Sequence, residues 1–289
     1  VSIRLERIES GADRARILHW LSLPADPSAR AWVIREGGSL GAAATLLPAP
    51  TTQVWVRVAQ ACRGRGYAHL LWRAVLDCAL EHRITRLAAV RPIDEEALTW
   101  AERNHLRVVA RLTEFSASLR QSQDRQRRAW ARISHRVPAQ SSIISLRQAQ
   151  EEGLLSAVAG VLAPAVGGNS ARWLRRAEQS LQTRGPPDFD PQCSVVLRQD
   201  RRIIGAQTTR FDPVQSCWFI EAITVVAEYR HGWASLALRI AAGEAKERAA
   251  LSDEVRFRAR DDHADTLRMA RHLGAKLRST QALVVWTAP

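Results

Sequence analysis

Apolar and polar positions follow the same order twice along the 289 residues. In the first half, "AWVIREGGSLGAAATLLP" holds two apolar runs about Gly37-Gly38, the pattern of two strands and a tight turn. In the second half, "CSVVLRQDRRIIGAQTTRF" repeats that plan about Asp200-Arg201. Each hairpin is followed by a further strand, "TQVWVRVA" or "CWFIEAITVVA", which runs into an arginine–glycine turn, "CRGRGYA" or "YRHGWA". Apolar residues at helical spacing then predict a long amphipathic helix, "AHLLWRAVLDCALEHR" or "ASLALRIAAGEAKERAA". A short strand ("RLAAVR"; "EVRFRA") and an acidic helix start ("PIDEEALTWAERNH"; "DDHADTLRMARHLG") come next. Each half closes on extended apolar residues, "LRVVARLTEFSASL" and "AKLRSTQALVVW".

Shared element order at near-equal spacing predicts a duplicated domain rather than a short-period solenoid. Between the copies, residues 120–142 are rich in arginine and glutamine, contain a proline and end in two serines. They read as a linker with a short helix at its centre. The expected organisation is a first domain over 1–119, a linker over 120–142 and a second domain over 143–289.

Composition changes this picture little. Hydrophobic residues at 46% and charged residues at 25% are globular values. No apolar run approaches the roughly 18 residues of a membrane-spanning helix, and the opening "VSIRLERIES" lacks the apolar stretch of a signal peptide. Cys62, Cys78, Cys193 and Cys217 form no CxxC pair, so neither a disulfide framework nor a metal site is expected, and they read as packing thiols of a cytoplasmic protein. The net charge of +13, almost all from arginine, would draw polyanions such as nucleic acid and phosphorylated cofactors. His69 and His82 read as solvent-facing, His263 and His272 lie on a helix without the carboxylate pattern of a metal site, Asp261-Asp262 reads as a helix cap, and Trp55, Trp72, Trp100, Trp218 and Trp233 read as core.

The sharper signal is the turn after "VWVRVA". A glycine-bearing turn at a helix start points backbone N–H groups outward beside the positive end of the helix dipole, which makes an anion site. Gly66 permits close approach, while Arg63 and Arg65 can add charge-assisted hydrogen bonds. Neither a Walker A lysine nor a GxGxxG fingerprint accompanies it. The string Arg63-Gly64-Arg65-Gly66-Tyr67-Ala68, set between a strand and a long helix, resembles the pyrophosphate loop [QR]-x-x-G-x-[GA] of the GNAT acyltransferase superfamily. The surrounding order of elements is similar to that family over 1–119 and again over about 143–289. The second copy, Tyr229-Arg230-His231-Gly232-Trp233-Ala234, departs from the pattern, because Arg230 lies one residue too close to Gly232.

The resemblance implies two tandem α/β domains, each a mixed, mostly antiparallel sheet flanked by helices. It implies acetyl-CoA or another acyl-CoA as donor, held by Arg63, Gly64, Arg65, Gly66, Tyr67 and Ala68, with Arg230 and Gly232 as a degenerate second loop. The acceptor would be an amine of a small molecule or protein. The proton donor that the family often places on the penultimate helix as tyrosine falls here at Ala101 and Ala270. Glu221, in the central strand of the second half, is the candidate base, and a strand carboxylate paired with an arginine is the alternative. The competing class is a scaffold without catalysis that uses its cationic surface on RNA or an acidic partner. The sequence leaves open the acceptor, the acyl chain length, the catalytic half and the oligomeric state.

Overall fold

The computed structural model describes residues 3–21, 23, 28–47, 52–92, 95–165, 173–174, 177–178, 189–230 and 232–288. It divides into two compact units, Val1–Arg111 with Gln281–Pro289, and Leu112–Thr280.

In the first unit the strands β1 (Ile3–Ile8), β2 (Arg30–Glu36), β3 (Ser39–Leu47), β4 (Thr52–Val58) and β5 (Arg86–Pro92) lie side by side in sequence order. The first four are antiparallel, and β5 runs parallel to β4. Helix α1 (Gly11–Trp20) starts at Ser10, whose hydroxyl accepts from the Asp13 N–H. Helix α2 (Tyr67–Glu81) follows the glycine turn, and α3 (Glu95–Arg103) follows β5. Alternation along β2 and β3 serves both faces of the sheet: Ala31, Val33 and Ala43 meet Ile17 and Leu21 at α1, while Trp32, Ile34, Ala42 and Ala44 meet α2. The α2 stripe Leu71, Trp72, Val75, Cys78 and Ala79 is buried against that second face. Each fully buried aliphatic side chain there contributes about 1.5–3 kcal/mol.

The second unit repeats the plan. Its strands are β6 (Arg107–Ser118, from Leu112 on), β7 (Ser141–Ser145), β8 (Val195–Gln199), β9 (Arg202–Asp212), β10 (Cys217–Val225) and β11 (Glu254–Arg260). Across the sheet they run β7-β8-β9-β10-β11-β6, antiparallel except for β10 and β11. The helices are α4 (Leu119–Ile133), α5 (Leu146–Glu151), α6 (Leu155–Leu162), α7 (Trp233–Ala249) and α8 (Ala264–Leu273). Each unit is thus the mixed, mostly antiparallel α/β sheet expected from the sequence. Matching glycines mark the duplication in three dimensions. A Cβ on Gly41 of β3 would lie 3.4 Å from the Tyr67 ring, and one on Gly205 of β9 would lie 2.9 Å from Leu238. In each copy the glycine lets the helix after the turn sit close on the strand.

The boundaries differ from the sequence division. β12 (Lys276–Thr287) pairs from Gln281 onward with β5 of the first unit, antiparallel, whereas β6 pairs from Leu112 onward with β11 of the second. Each unit is therefore completed by a strand from the other half of the sequence. The segment read as a linker is largely helical, and α4 buries Leu119, Ser122, Gln123 and Gln126 within the second unit. At the start of α8, His263 takes the cap position, and Asp262 instead pairs with Arg260 at 2.6 Å. Among the described residues all four cysteines are free thiols, no group of His, Cys, Asp and Glu could hold a metal, and no helix is long and apolar enough to cross a membrane.

Candidate functional site

β4 ends at Val58 and a 3-10 turn over Gln60–Cys62 leads into the four residues before α2. Gly64 and Gly66 adopt left-handed backbone angles, φ +75° and +78°, which L side chains reach only at a cost. Gly66 holds the helix cap without a side-chain hydrogen bond, and its carbonyl accepts from the His69 and Leu70 N–H groups. Among the described residues the backbone N–H groups of Gly64 through Ala68 donate to no protein acceptor. A Cβ built on either glycine meets nothing within 4 Å, so the turn faces open space. Unsatisfied N–H groups at the positive end of a 15-residue helix, with no side chain over them, form an anion cradle.

The arginines of the turn have different surroundings. Arg63 is exposed and has no ion pair among the described residues. Arg65 donates to Glu36 at the end of β2, and the same carboxylate accepts from the Tyr67 hydroxyl at 3.1 Å and the Cys62 thiol at 3.6 Å. Burial pulls the Glu36 carboxyl up, but the bonds from Tyr67, Arg65 and Cys62 outweigh it and hold it below the ordinary glutamate value. Burial and the neighbouring carboxylate push the Tyr67 phenol up, so it stays a donor. Arg65 therefore braces the turn against β2, and Arg63 is the side chain of the pair left to face an anion. Glu36 escaped the sequence reading because it lies 29 positions from Arg65. The available hint was its place beside the Gly37-Gly38 turn, at the same end of the sheet as the loop.

β4 and β5 pair over Thr52↔Leu87 and Gln53↔Ala88, after which β4 continues beside β3 and β5 beside β12. The two parallel strands thus part in the direction of the turn. On the face carrying α2 and α3, the Trp72 and Trp100 rings meet edge to face, centroids 5.9 Å apart. A wedge between parting strands that leads to a helix N-terminus suits an elongated ligand with a phosphate at one end.

The second unit has the same wedge, differently filled. β10 and β11 pair over Trp218↔Val255 to Ile220↔Phe257, and then β10 bulges at Glu221. Here α4 lies against both α7 and α8. Gln123 donates to the Arg239 carbonyl at 3.2 Å, Arg127 to Glu247 at 2.6 Å, and Arg125 to the His272 carbonyl at 3.2 Å. A Cβ on Gly243 would fall 1.4 Å from the Gln123 amide, so the glycine is what lets α4 settle on α7. Beneath α4 remains a cavity of about 30 Å³. The second turn is also unlike the first. Gly232 is extended, φ −139°, and the Arg230 guanidinium donates to the Val225 carbonyl at 3.4 Å. His231 lies outside the described residues.

Glu221 is not buried as its apolar neighbours suggested. It is the bulged residue, its side chain partly exposed and paired with Arg210, which also bonds Asp212 at 3.4 Å. Ala101 and Ala270, where a tyrosine proton donor would fall, are both buried at 2% exposure.

Comparison with known proteins agrees with this geometry. Residues 4–105 match the Acetyltransferase (GNAT) family. No curated protein matches the chain by sequence. Among solved structures, a tandem GNAT protein from the clavulanic acid biosynthesis pathway superposes with TM-score 0.71 and 18% identity, over 100% of this chain and 99% of its own. A GCN5-related N-acetyltransferase from Sphaerobacter thermophilus superposes with TM-score 0.66 and 14% identity, over 99% and 96%. A glucosamine N-acetyltransferase region of a fungal multi-domain GH3 β-N-acetylglucosaminidase gives 0.68 and 12%, over 99% of this chain and 38% of that longer one. At these identities the likeness is one of fold, and the fold is the tandem GNAT fold.

Proposed function

From a first unit that matches the GNAT acetyltransferases, within a tandem GNAT fold, we propose that the protein transfers an acyl group from acyl-CoA to an amine, with acetyl-CoA as donor. The observation that carries this reading is the turn Arg63–Ala68. Among the described residues it offers N–H groups without protein partners, two left-handed glycines with open space before them and an arginine without an ion pair, at the mouth of parting strands. A pyrophosphate would sit on the N–H groups with Arg63 beside it, and the extended arm would run between β4 and β5. In the reaction the amine nitrogen attacks the thioester carbonyl, the C–S bond breaks, the thiolate leaves, and the amine proton passes to water. The buried alanines at 101 and 270 supply no acid, and a thiolate is a good enough leaving group to depart without one.

The donor is proposed to bind once per chain, because α4 covers the corresponding wedge of the second unit and the Arg230–Gly232 turn lacks the cradle geometry. Calorimetric titration with acetyl-CoA tests both statements. Binding of one equivalent is expected, lost in the double variant Arg63→Glu, Gly66→Asp. Undiminished binding in that variant would rule the turn out, and two equivalents would rule out the covered wedge. An absence of binding by the wild type, with salt-sensitive retention of RNA, would favour a binding scaffold instead.

A further inference from the structure

The cavity under α4 concentrates polar atoms that have no partner. Ser122 Oγ, Gln123 Oε1, Gln126 Oε1, Gln207 Oε1 and Arg239 Nε are all buried without a hydrogen bond among the described residues, and all five residues line this one cavity. Ser122, Gln123, Gln126 and Gln207 are 7% exposed or less. Native interiors leave few such atoms unsatisfied, so five around one void point to a missing occupant. The charge of the lining says which kind. Arg239 and Lys246 are its ionisable residues, no carboxylate lines it, and neither cation forms an ion pair among the described residues. Lys246 is 2% exposed, and it is one of only two lysines in an arginine-rich chain. Among the described residues Lys246 has only the Asp190 carboxylate near it, beyond ion-pair distance, and Arg239 has no charged group acting on it, so a small anion would supply a counter-charge that a neutral water cannot.

We propose that this cavity is a small-anion site, in which a monovalent ion of halide size holds α4 onto α7. Ser122 O–H and Arg239 Nε–H supply donors directly, and the Lys246 side chain lines the same cavity. Among the described residues the Gln126 amide is fixed by no hydrogen bond, and that of Gln207 by one at 3.5 Å to Thr209 Oγ1, so both can turn an NH₂ inward. Gln123 is fixed by its bond to the Arg239 carbonyl and remains the one acceptor. The volume of about 30 Å³ admits an ion the size of chloride or bromide. All of its lining belongs to the second unit, whereas the acyl-CoA cradle belongs to the first, and the site does not depend on that reading.

The test is thermal unfolding of the full chain in sodium chloride or bromide, at ionic strength held constant with gluconate. A saturable rise of about 3–6 °C is expected. Sulfate should not reproduce it, and Lys246→Met should abolish it. Crystals grown in bromide should show one anomalous peak among Ser122, Gln207, Arg239 and Lys246. If Lys246→Met does not fold, Gln207→Leu serves in its place, because it keeps both cations and narrows the cavity. An equal response to sulfate, a halide response unchanged in the variants, or a cavity that holds water alone in bromide-grown crystals would each overturn the proposal.

Discussion

Replacing Gly66 with alanine separates two jobs of one residue. At φ +78° an alanine pays for the left-handed backbone, about 1–2 kcal/mol, but it meets no neighbour, since its Cβ has nothing within 4 Å. Stability should therefore fall by that strain alone, a drop in Tm of about 3–8 °C for a unit of this size. Binding should suffer more. The new methyl projects into the open space beside the Gly66 and Tyr67 N–H groups, where it would crowd a bound anion. Losing one or two charge-assisted bonds costs about 2–4 kcal/mol, or roughly 30- to 700-fold in Kd for acetyl-CoA. Gly153→Ala is the matched control, because Gly153 has φ +72°, nothing within 4 Å, and a place in the other unit. Calorimetry and thermal unfolding of both variants give the answer. If Gly66→Ala loses no more affinity than Gly153→Ala, the turn is a bend in the chain and the cradle argument fails.

Gly243→Ala should destabilise the second unit by about 1–3 kcal/mol, since its Cβ would displace Gln123 and break the bond to the Arg239 carbonyl; hydrogen exchange should speed up in α4 while the first unit is unaffected. Burial depresses the Lys246 ammonium from 10.5 to about 8, so the unfolded chain binds the proton more tightly. In halide-free buffer stability should accordingly be lowest below pH 8 and rise towards pH 10.5, by up to about 3 kcal/mol, and urea titrations of wild type and Lys246→Met should converge at the alkaline end. Glu221→Gln should leave the pH profile of turnover in place, because Glu221 is bound to Arg210; loss of an alkaline-active limb would make it the base after all.

Most of the elements could be read in the letters because their physics is local. The Gly37-Gly38 and Asp200-Arg201 turns, the strands either side and the helices after each glycine turn all follow from apolar period and turn chemistry within a few residues. Strand pairing is not local. The run "ALVVW" announces a strand, but nothing in it says that Val284 will face Ala89 rather than a neighbour from its own half. Helix α4 failed for a different reason. Its buried stripe, Leu119, Ser122, Gln123 and Gln126, has ideal helical spacing, i, i+3, i+4 and i+7, but three of the four are polar, so a search for apolar period passes over it. The cradle glycines were legible because φ near +78° is a demand that sequence meets almost only with glycine. The Glu36 brace on Arg65 and Tyr67 was not, since it exists only once the hairpin has folded beside the turn.

The crossing of final strands also sets an order of events. Gln281 and Pro92 pair across about 190 positions, and in a chain made from its N-terminus the first sheet stays open along β5 until the second unit has been synthesised. An exposed strand edge of that kind invites pairing with another copy. Slow maturation and exchange of β12 between chains at high concentration are then the expected consequences of the topology, and neither half should be expressible as a well-behaved fragment.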